Sequence, residues 1–193
     1  MNNLLLDTTG KPDTFTINYQ QLNAFRPHKY PMILLEDVAE FSPTMKTLIG
    51  RKKVKPDDPY VQGHFPGDPF MPPSFVIESL AQACGCLMNV LFFCDRGIKL
   101  WELNTEQFLK IEQPPFNVLA DTKIKNVGLA FPGDTIMLHV RVTLQRKELI
   151  AFHVEAKIDE RTIANGELIL AYPPYTPKYN SSLISKELTD VSR

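Results

Sequence analysis

The segment that most constrains the fold is an apolar run from Phe75 to Phe93. A run of this length is long enough to cross a membrane, but it contains Glu78, Gln82 and Asn89, and a charged group at membrane depth is costly. A helix of ~20 residues is ~30 Å long, and it is sheltered from water only if a curved sheet wraps around it. The run therefore predicts a buried central helix and no membrane span.

The last third of the chain shows the alternation of apolar and polar residues that is typical of strands with one face on a core. The alternation runs through Thr135–Leu144, Ala151–Ile158 and Thr162–Tyr172, and two earlier strands are predicted at Ile33–Phe41 and Thr47–Val54. This order of elements predicts an α+β domain in which an antiparallel sheet wraps around the central helix.

Composition divides the chain of 193 residues into three predicted parts. Residues 1–25 are polar and predict an N-terminal extension with a short helix around Tyr19–Phe25. Residues 26–172 hold the strands and the central helix. Residues 173–193 are rich in Pro, Ser and charge and predict a loose tail.

Charge and cysteine content exclude several classes of function. The formal net charge is −1, so no basic field favours nucleic-acid binding. Cys84, Cys86 and Cys94 match no common zinc spacing, and we interpret them as buried reduced thiols of a cytosolic protein. Residues 1–20 lack the pattern of a signal peptide. We therefore expect a cytoplasmic protein without a metal.

A segment dense in Gly and Pro, GHFPGDPFMPP, occupies Gly63–Pro73. It forms neither a regular helix nor a strand and is predicted to be an ordered loop. The loop leads into the central helix, with Pro73 at the first helical position, where a missing N–H breaks no internal bond. His64 lies in this loop, and Glu78 follows in the first turns of the helix.

His64 and Glu78 have the chemistry of an acid–base pair. A carboxylate on a buried helix needs a partner, and burial favours its protonated form. Histidine is the usual base near neutral pH, and the start of the helix adds free N–H groups. The alternative interpretation is a histidine that holds the loop and a glutamate that caps an early helical turn.

Several motifs resemble the β-hydroxyacyl-acyl-carrier-protein dehydratase family over residues 26–172. Pro27–Pro31 followed by Ile33–Asp37 resembles the entry strand of that family. Gly63–Pro69 with Met71-Pro72 resembles its active-site loop, and Glu78–Gln82 resembles the start of its central helix. Pro132-Gly133-Asp134 precedes alternating strands, as in that family.

The resemblance implies a hotdog fold and a homodimer with two active sites at its interface. It leaves open whether the dimers form larger assemblies. His64 of one subunit would face Glu78 of the other and remove the α-proton of a 3-hydroxyacyl thioester, while Glu78 would hold or protonate the departing hydroxyl. The substrate would be carried on the phosphopantetheine arm of acyl carrier protein, and the product would be a trans-2-enoyl thioester. No cofactor or metal is implied. The residues expected to bind substrate are Phe65, Gly67, Pro73, Ser74 and Gln82.

Position 73 departs from the family pattern, which has glycine after Met-Pro, with an N–H that polarises the thioester carbonyl. Pro73 has no N–H, and loss of one such donor costs on the order of 10²–10³ in rate. Either the N–H or hydroxyl of Ser74 replaces it, or the carbonyl is held elsewhere. The segments Lys99–Phe116 and Lys123–Phe131 also differ from the family, which suggests a specialised dehydratase of a polyketide-like or secondary lipid pathway.

Two other functions remain open from the sequence. A hotdog thioesterase would activate water with a carboxylate. A non-catalytic acyl-binding subunit, or the partner subunit of a dehydratase heterodimer, would keep the fold without turnover. Gln82 either orients Glu78 or satisfies a buried backbone group. We interpret His28 as structural. Four basic residues are interpreted either as solvated side chains or as contacts for acidic carrier protein: Lys52, Lys53, Arg96 and Lys99.

Overall fold

The computed structural model describes residues 14–112, 114–146 and 149–172. In chain order the elements are β1 (Phe15–Ile17), α1 (Tyr19–Phe25), β2 (Asp37–Ser42), β3 (Thr47–Lys53), α2 (Pro59–Gln62), α3 (Pro73–Cys94), a 3₁₀ turn (Leu100–Glu102), α4 (Thr105–Leu109), β4 (Val118–Asn126), β5 (Thr135–Gln145), β6 (Leu149–Ile158) and β7 (Arg161–Ala171).

The seven strands form one antiparallel sheet in the order β1-β2-β3-β5-β6-β7-β4. Helix α3 packs against β3, β4, β5, β6 and β7. The predicted α+β architecture, an antiparallel sheet wrapped around a long central helix, is confirmed.

Helix α3 is long and apolar enough to cross a membrane, but 78% of its most apolar window is buried inside the fold. The helix is therefore the core of the domain, as predicted, and begins at Pro73 with Pro72 as its N-cap. Its thiols Cys84 and Cys86 are buried and Cys94 is half-buried, and all three cysteines are free. Burial raises the pKa of Cys86 to about 12 and that of Cys94 to about 11, so these thiols stay protonated.

The alternating strands are confirmed, with one local exception in β5. Ile136, Leu138 and Val140 face the core as predicted, whereas Leu144 is 49% exposed. The register of β5 against β6 shifts between Val142 and Leu144, and such a bulge turns the following side chains away from the face that periodicity assigns to them.

The first predicted strand begins later than its apolar pattern indicates. Strand β2 starts at Asp37, not at Ile33. The backbone N–H groups of Leu34 and Leu35 donate to the side-chain oxygen of Gln82 at 3.0 Å and 3.2 Å. Because a side chain takes these donors, the segment enters the core without a strand partner.

Strand β4 was not predicted, since residues 98–131 show no alternation. Eight of its nine residues are exposed and the ninth is half-buried. β4 lies at one edge of the sheet with β7 as its neighbour. Its pairing needs Gly166 in β7, where φ is +150° and a Cβ would lie 2.0 Å from the carbonyl oxygen of Lys123.

The short helix predicted around Tyr19–Phe25 is confirmed as α1. Asn18 and Gln21 form a capping box at its start. Leu22 and Phe25 are fully buried, so the described end of the extension contributes to the same core. The division at residue 26 stays a prediction, and residues 1–13 and the tail at 173–193 lie outside the described residues.

The interpretation of Lys52 was wrong. Lys52 is 2% exposed, and its Nζ donates to Oδ2 of Asp58 at 3.0 Å. The same carboxylate oxygen accepts from the Tyr60 hydroxyl at 2.7 Å and from the Lys55 N–H at 3.0 Å. We call Lys52, Asp58 and Tyr60 the buried ionic cluster. The cluster holds α2, the helix that leads into the Gly/Pro-rich loop.

Candidate active site

The Gly/Pro-rich loop is held in place by hydrogen bonds at both of its ends. The N–H of His64 donates to the carbonyl of Val61 at 3.1 Å, and the N–H of Phe70 donates to the carbonyl of His64 at 2.9 Å. Met71 then forms an antiparallel bridge with Ala130. Gly67 turns the loop at φ +91°, which a residue with a side chain rarely adopts. The loop is therefore ordered, as predicted, and joins β3 and α2 to α3.

The imidazole of His64 is enclosed by aromatic rings. It stacks on Phe65 at 4.1 Å between ring centroids and meets the edge of Phe70 at 4.5 Å. Its Nδ1 is buried and has no hydrogen-bond partner among the described residues. A buried nitrogen without a partner costs free energy, and packing against the two phenyl rings offsets that cost and holds the imidazole in this position.

Glu78 lies one helical turn before Gln82, and the two side chains are hydrogen-bonded. Nε2 of Gln82 donates to Oε1 of Glu78 at 2.9 Å. His28 lies near the same carboxylate oxygen, with its Nε2 at 3.7 Å. The side chains of His28 and Glu78 are 37% and 32% exposed, so the carboxylate remains accessible.

These groups line a cavity between α3, α1 and the segment that precedes β2. Glu78, Gln82, Gly85 and Asn89 contribute one face of α3. The other lining residues are mostly apolar and include Leu22, Phe25, Leu35, Cys86, Leu119 and Leu170. The cavity therefore joins a carboxylate to a mostly apolar lining, a combination that is common in ligand-binding pockets.

Burial lowers the pKa of His28 below its ordinary value of 6.5, while the charge of Glu78 raises it and that of Arg26 lowers it. The neutral form is therefore favoured at pH 7. A neutral imidazole either donates to the Glu78 carboxylate or accepts from the protonated acid.

One chain does not bring the predicted pair together. Of the predicted site residues, Glu78 and Gln82 line the cavity, whereas His64 does not. Phe65, Gly67 and Ser74 are exposed at the surface and Pro73 is half-buried. The pairing of His64 with Glu78 across two subunits stays a prediction.

Both alternatives for Gln82 hold at once. Its oxygen accepts from the backbone of Leu34 and Leu35, and its nitrogen donates to the carbonyl of Met32 at 2.8 Å and to Glu78. Gln82 thereby links the segment that precedes β2 to Glu78, the candidate acid.

At the start of α3, the N–H groups of Phe75 and Val76 both donate to the carbonyl of Pro72, at 2.9 Å and 3.3 Å. Pro73 occupies the first helical position, as predicted. Ser74 therefore carries the first backbone N–H of the helix. An N–H at this position has no hydrogen-bond acceptor within the helix.

Sequence reasoning missed His28, Asn89 and Asn117 as lining residues of the cavity. His28 is 50 residues from Glu78 in the chain, and Asn117 is 28 residues from Asn89. The one sequence signal was the spacing of Glu78, Gln82 and Asn89 on one helical face. Among the described residues, no group of three or more His, Cys, Asp or Glu side chains is placed to hold a metal ion.

Comparison with known proteins agrees with this architecture. A family model described as FabA-like domain matches residues 26–167. The chain is 33% identical over 156 residues to 3-hydroxyacyl-[acyl-carrier-protein] dehydratase FabZ of Pseudoalteromonas translucida (strain TAC 125), covering 81% of this chain and 93% of that protein. It is 32% identical over 156 residues to FabZ of Legionella pneumophila (strain Corby), with 81% and 94% covered.

Among solved structures, the dehydratase heterocomplex ApeI:P from Xenorhabdus doucetiae matches with a TM-score of 0.62 and 20% identity, covering 80% of this chain and 92% of the matched chain. At this identity the match supports the fold. The family match spans most of the chain, and the FabZ relatives are covered almost completely. The chain belongs to the FabA-like domain family.

Proposed function

We propose that this protein is a 3-hydroxyacyl-[acyl-carrier-protein] dehydratase, which converts 3-hydroxyacyl thioesters into trans-2-enoyl thioesters and water. The observation that carries the proposal is the Glu78 carboxylate, held by Gln82 in a cavity that apolar side chains also line. Membership of the FabA-like domain family and the similarity to FabZ proteins support the same reaction.

In this reaction His64 acts as the base and Glu78 as the acid. His64 takes a proton from C2 of the acyl chain, and the electron pair of that bond forms the C2–C3 double bond as the C3–O bond breaks. Protonated Glu78 gives its proton to the departing hydroxyl, which leaves as water. The proton on His64 then returns to Glu78, and the site is restored.

The proposal requires a homodimer, because His64 and Glu78 of one chain do not share a cavity. His64 of one subunit faces the partner subunit's Glu78. Edge strand β4 supports this pairing, since it exposes Val118 and Leu119 at 43% and 41%. Exposed apolar edge strands favour pairing with a second chain, and a two-fold axis then creates two equivalent sites.

The thioester carbonyl needs a hydrogen-bond donor at the start of α3, and Pro73 has no backbone N–H to supply it. The N–H of Ser74 is the first that helix α3 offers, and it lies beside the exposed Gly/Pro-rich loop. Positive potential at a helix start adds to its effect on a developing oxyanion. Ser74 therefore takes the role that glycine at position 73 has in the resembled family.

The acyl chain arrives on the phosphopantetheine arm of acyl carrier protein, in the cytoplasm, within fatty-acid or polyketide-like biosynthesis. The differences from the family in Lys99–Phe116 and Lys123–Phe131 favour a specialised pathway. Equal turnover of all ordinary fatty-acid intermediates would contradict that specialisation.

The test is a mass-spectrometric assay with purified protein and 3-hydroxyacyl-carrier-protein substrates of several chain lengths. We expect the loss of one water in the wild type and none in His64→Ala or Glu78→Gln, whereas His153→Ala, an exposed histidine on β6, serves as the matched control. Release of free acid would indicate a thioesterase instead. A folded dimer without product at any length would indicate a non-catalytic partner subunit.

Mixing the two inactive variants tests the composite site. A dimer that combines His64→Ala with Glu78→Gln has one intact site, so random exchange restores about a quarter of wild-type activity. If both residues acted within one chain, mixing would restore none.

A further inference from the structure

Helix α3 carries a stripe of residues that faces the cavity, and the proposed dehydration reaction gives its distal residues no role. Glu78, Gln82, Gly85 and Asn89 follow one another at spacings of four, three and four residues. At ~100° per residue they lie within an arc of about 60°. All four line the cavity, and Asn89 is only 3% exposed.

Asn117 completes the far end of this stripe. Its side-chain nitrogen donates to Oδ1 of Asn89 at 3.3 Å. Its own Oδ1 lies directly over Gly85, where a Cβ would approach it to 2.6 Å. Only a residue without a side chain at position 85 leaves room for the amide against the helix. We call Gly85, Asn89 and Asn117 the amide subsite.

The amide subsite has unused hydrogen-bonding capacity. Each asparagine offers two N–H donors and an oxygen with two lone pairs. The described residues supply one bond between the two amides, which leaves the NH₂ of Asn89 and the oxygen of Asn117 without a partner. Neither atom is fully buried, so solvent reaches both. An acyl chain in the cavity would displace that water, and an unpaired amide beside an apolar chain costs free energy.

We infer that the amide subsite binds a hydroxyl group on the distal part of the acyl chain. The inference rests on the proposed function, which places the 3-hydroxyl at Glu78 and the rest of the chain in the cavity. A hydroxyl accepts from Asn89 and donates to Asn117, which satisfies both unpaired groups. A terminal methyl group satisfies neither.

The geometry of α3 also sets the distance between Glu78 and the amide subsite. Gly85 and Asn89 lie about 10 Å and about 16 Å beyond Glu78 along the axis, at ~1.5 Å per residue. An extended chain advances roughly 1.2 Å per bond, since a residue of three bonds spans ~3.3–3.6 Å. The oxygen therefore lies roughly eight to thirteen bonds beyond the 3-carbon.

The experiment measures binding independently of turnover. Saturated acyl-pantetheine amides of about 10, 12, 14 and 16 carbons are prepared in pairs that end in a hydroxyl or a methyl group. These probes have no 3-hydroxyl and no thioester, so they undergo neither dehydration nor hydrolysis. Dissociation constants are measured by titration calorimetry for the full-length dimer, Asn89→Leu, Asn117→Leu and the control Met88→Leu, whose buried side chain does not line the cavity.

We expect the wild type and Met88→Leu to bind the hydroxyl probe at least about ten-fold more tightly at one or more lengths, the effect of one good hydrogen bond. Asn89→Leu abolishes or inverts this preference, and Asn117→Leu gives the same readout if Asn89→Leu does not fold. Equal or tighter binding of methyl probes by the wild type at every length overturns the inference, as does a hydroxyl preference that survives both asparagine variants. A preference without dehydratase turnover would reject the proposed function and leave the subsite standing.

Discussion

The side chain of Gln82 donates to Oε1 of Glu78 at 2.9 Å while its oxygen accepts from the backbone of Leu34. These hydrogen bonds fix the orientation of the Gln82 amide. Its oxygen accepts from backbone N–H groups, and its nitrogen donates to the carbonyl of Met32. The amide therefore presents a donor to Glu78, which fixes the position of the candidate acid.

Replacing Gln82 with glutamate tests this role. A second carboxylate next to Glu78 favours the protonated form of the pair, and the donor to the Met32 carbonyl is lost. We expect Gln82→Glu to lower kcat at least about ten-fold, since misplacing a catalytic group costs this much or more. We also expect the alkaline limb of the kcat/KM profile, where the acid loses its proton, to move to higher pH. Steady-state kinetics over pH 4–9 checks this, and a profile with an unchanged alkaline limb would contradict the role.

The pKa of His28 reports on Glu78. Burial lowers this pKa below 6.5, and the Glu78 charge opposes that shift. Removing the charge in Glu78→Gln is expected to lower the pKa of His28 further, as histidine NMR titration would show. A rise in this variant would be contrary to the arrangement of these residues.

The same shift gives a stability prediction with a defined sign. Because folding favours neutral His28, its contribution to the free energy of unfolding is fully present above pH 6.5 and declines as pH falls through the lowered folded pKa. The difference in unfolding free energy between wild type and His28→Asn, from urea melts at pH 5 and pH 8, is expected to be more favourable to wild type at pH 8.

The buried ionic cluster is predicted to stabilise α2 and, through it, the Gly/Pro-rich loop. Asp58→Ala would leave the buried amine of Lys52 without its carboxylate partner, and loss of one partner of a buried pair costs about 3–5 kcal/mol. Urea denaturation measures this loss, and Lys53→Met, at an exposed neighbouring lysine, is the control with little expected change.

Asp58 also makes stability depend on pH. Burial alone would raise the pKa of Asp58, but hydrogen bonds from Tyr60, the Lys55 N–H and Lys52 outweigh it and lower the pKa below 3.8. Its contribution is therefore present above about pH 4 and is lost as pH falls through the folded pKa. Asp58→Asn should show a smaller decline than wild type between pH 4 and pH 2.

Gly166→Ala is predicted to detach β4 from β7. The new Cβ would lie 2.0 Å from the Lys123 carbonyl oxygen, which is backbone and does not move aside, and φ is +150°. We expect loss of the dimer and of activity, measured by sedimentation and by the dehydration assay. Retention of an active dimer would show that β4 is not the subunit interface.

The sequence by itself determined the core helix, the alternating strands β5, β6 and β7, and the ordered loop that carries His64. These features depend on local periodicity and on residues such as Gly and Pro that act on their own backbone. The spacing of Glu78 and Gln82, one turn apart, was equally visible, because neighbours on a helix are set by its pitch.

Only the tertiary structure decided which distant residues meet. Gln82 accepts a hydrogen bond from Leu34, which is 48 positions away in the sequence, and His28 lies beside Glu78. The buried Lys52 side chain donates to Asp58, and the Asn117 side chain packs against Gly85. Strand β4 has no periodic signal, because nearly all its residues are exposed and its position depends on pairing with β7. Long-range contacts of this kind are selected by packing and by the pairing of buried polar groups, which no local pattern encodes.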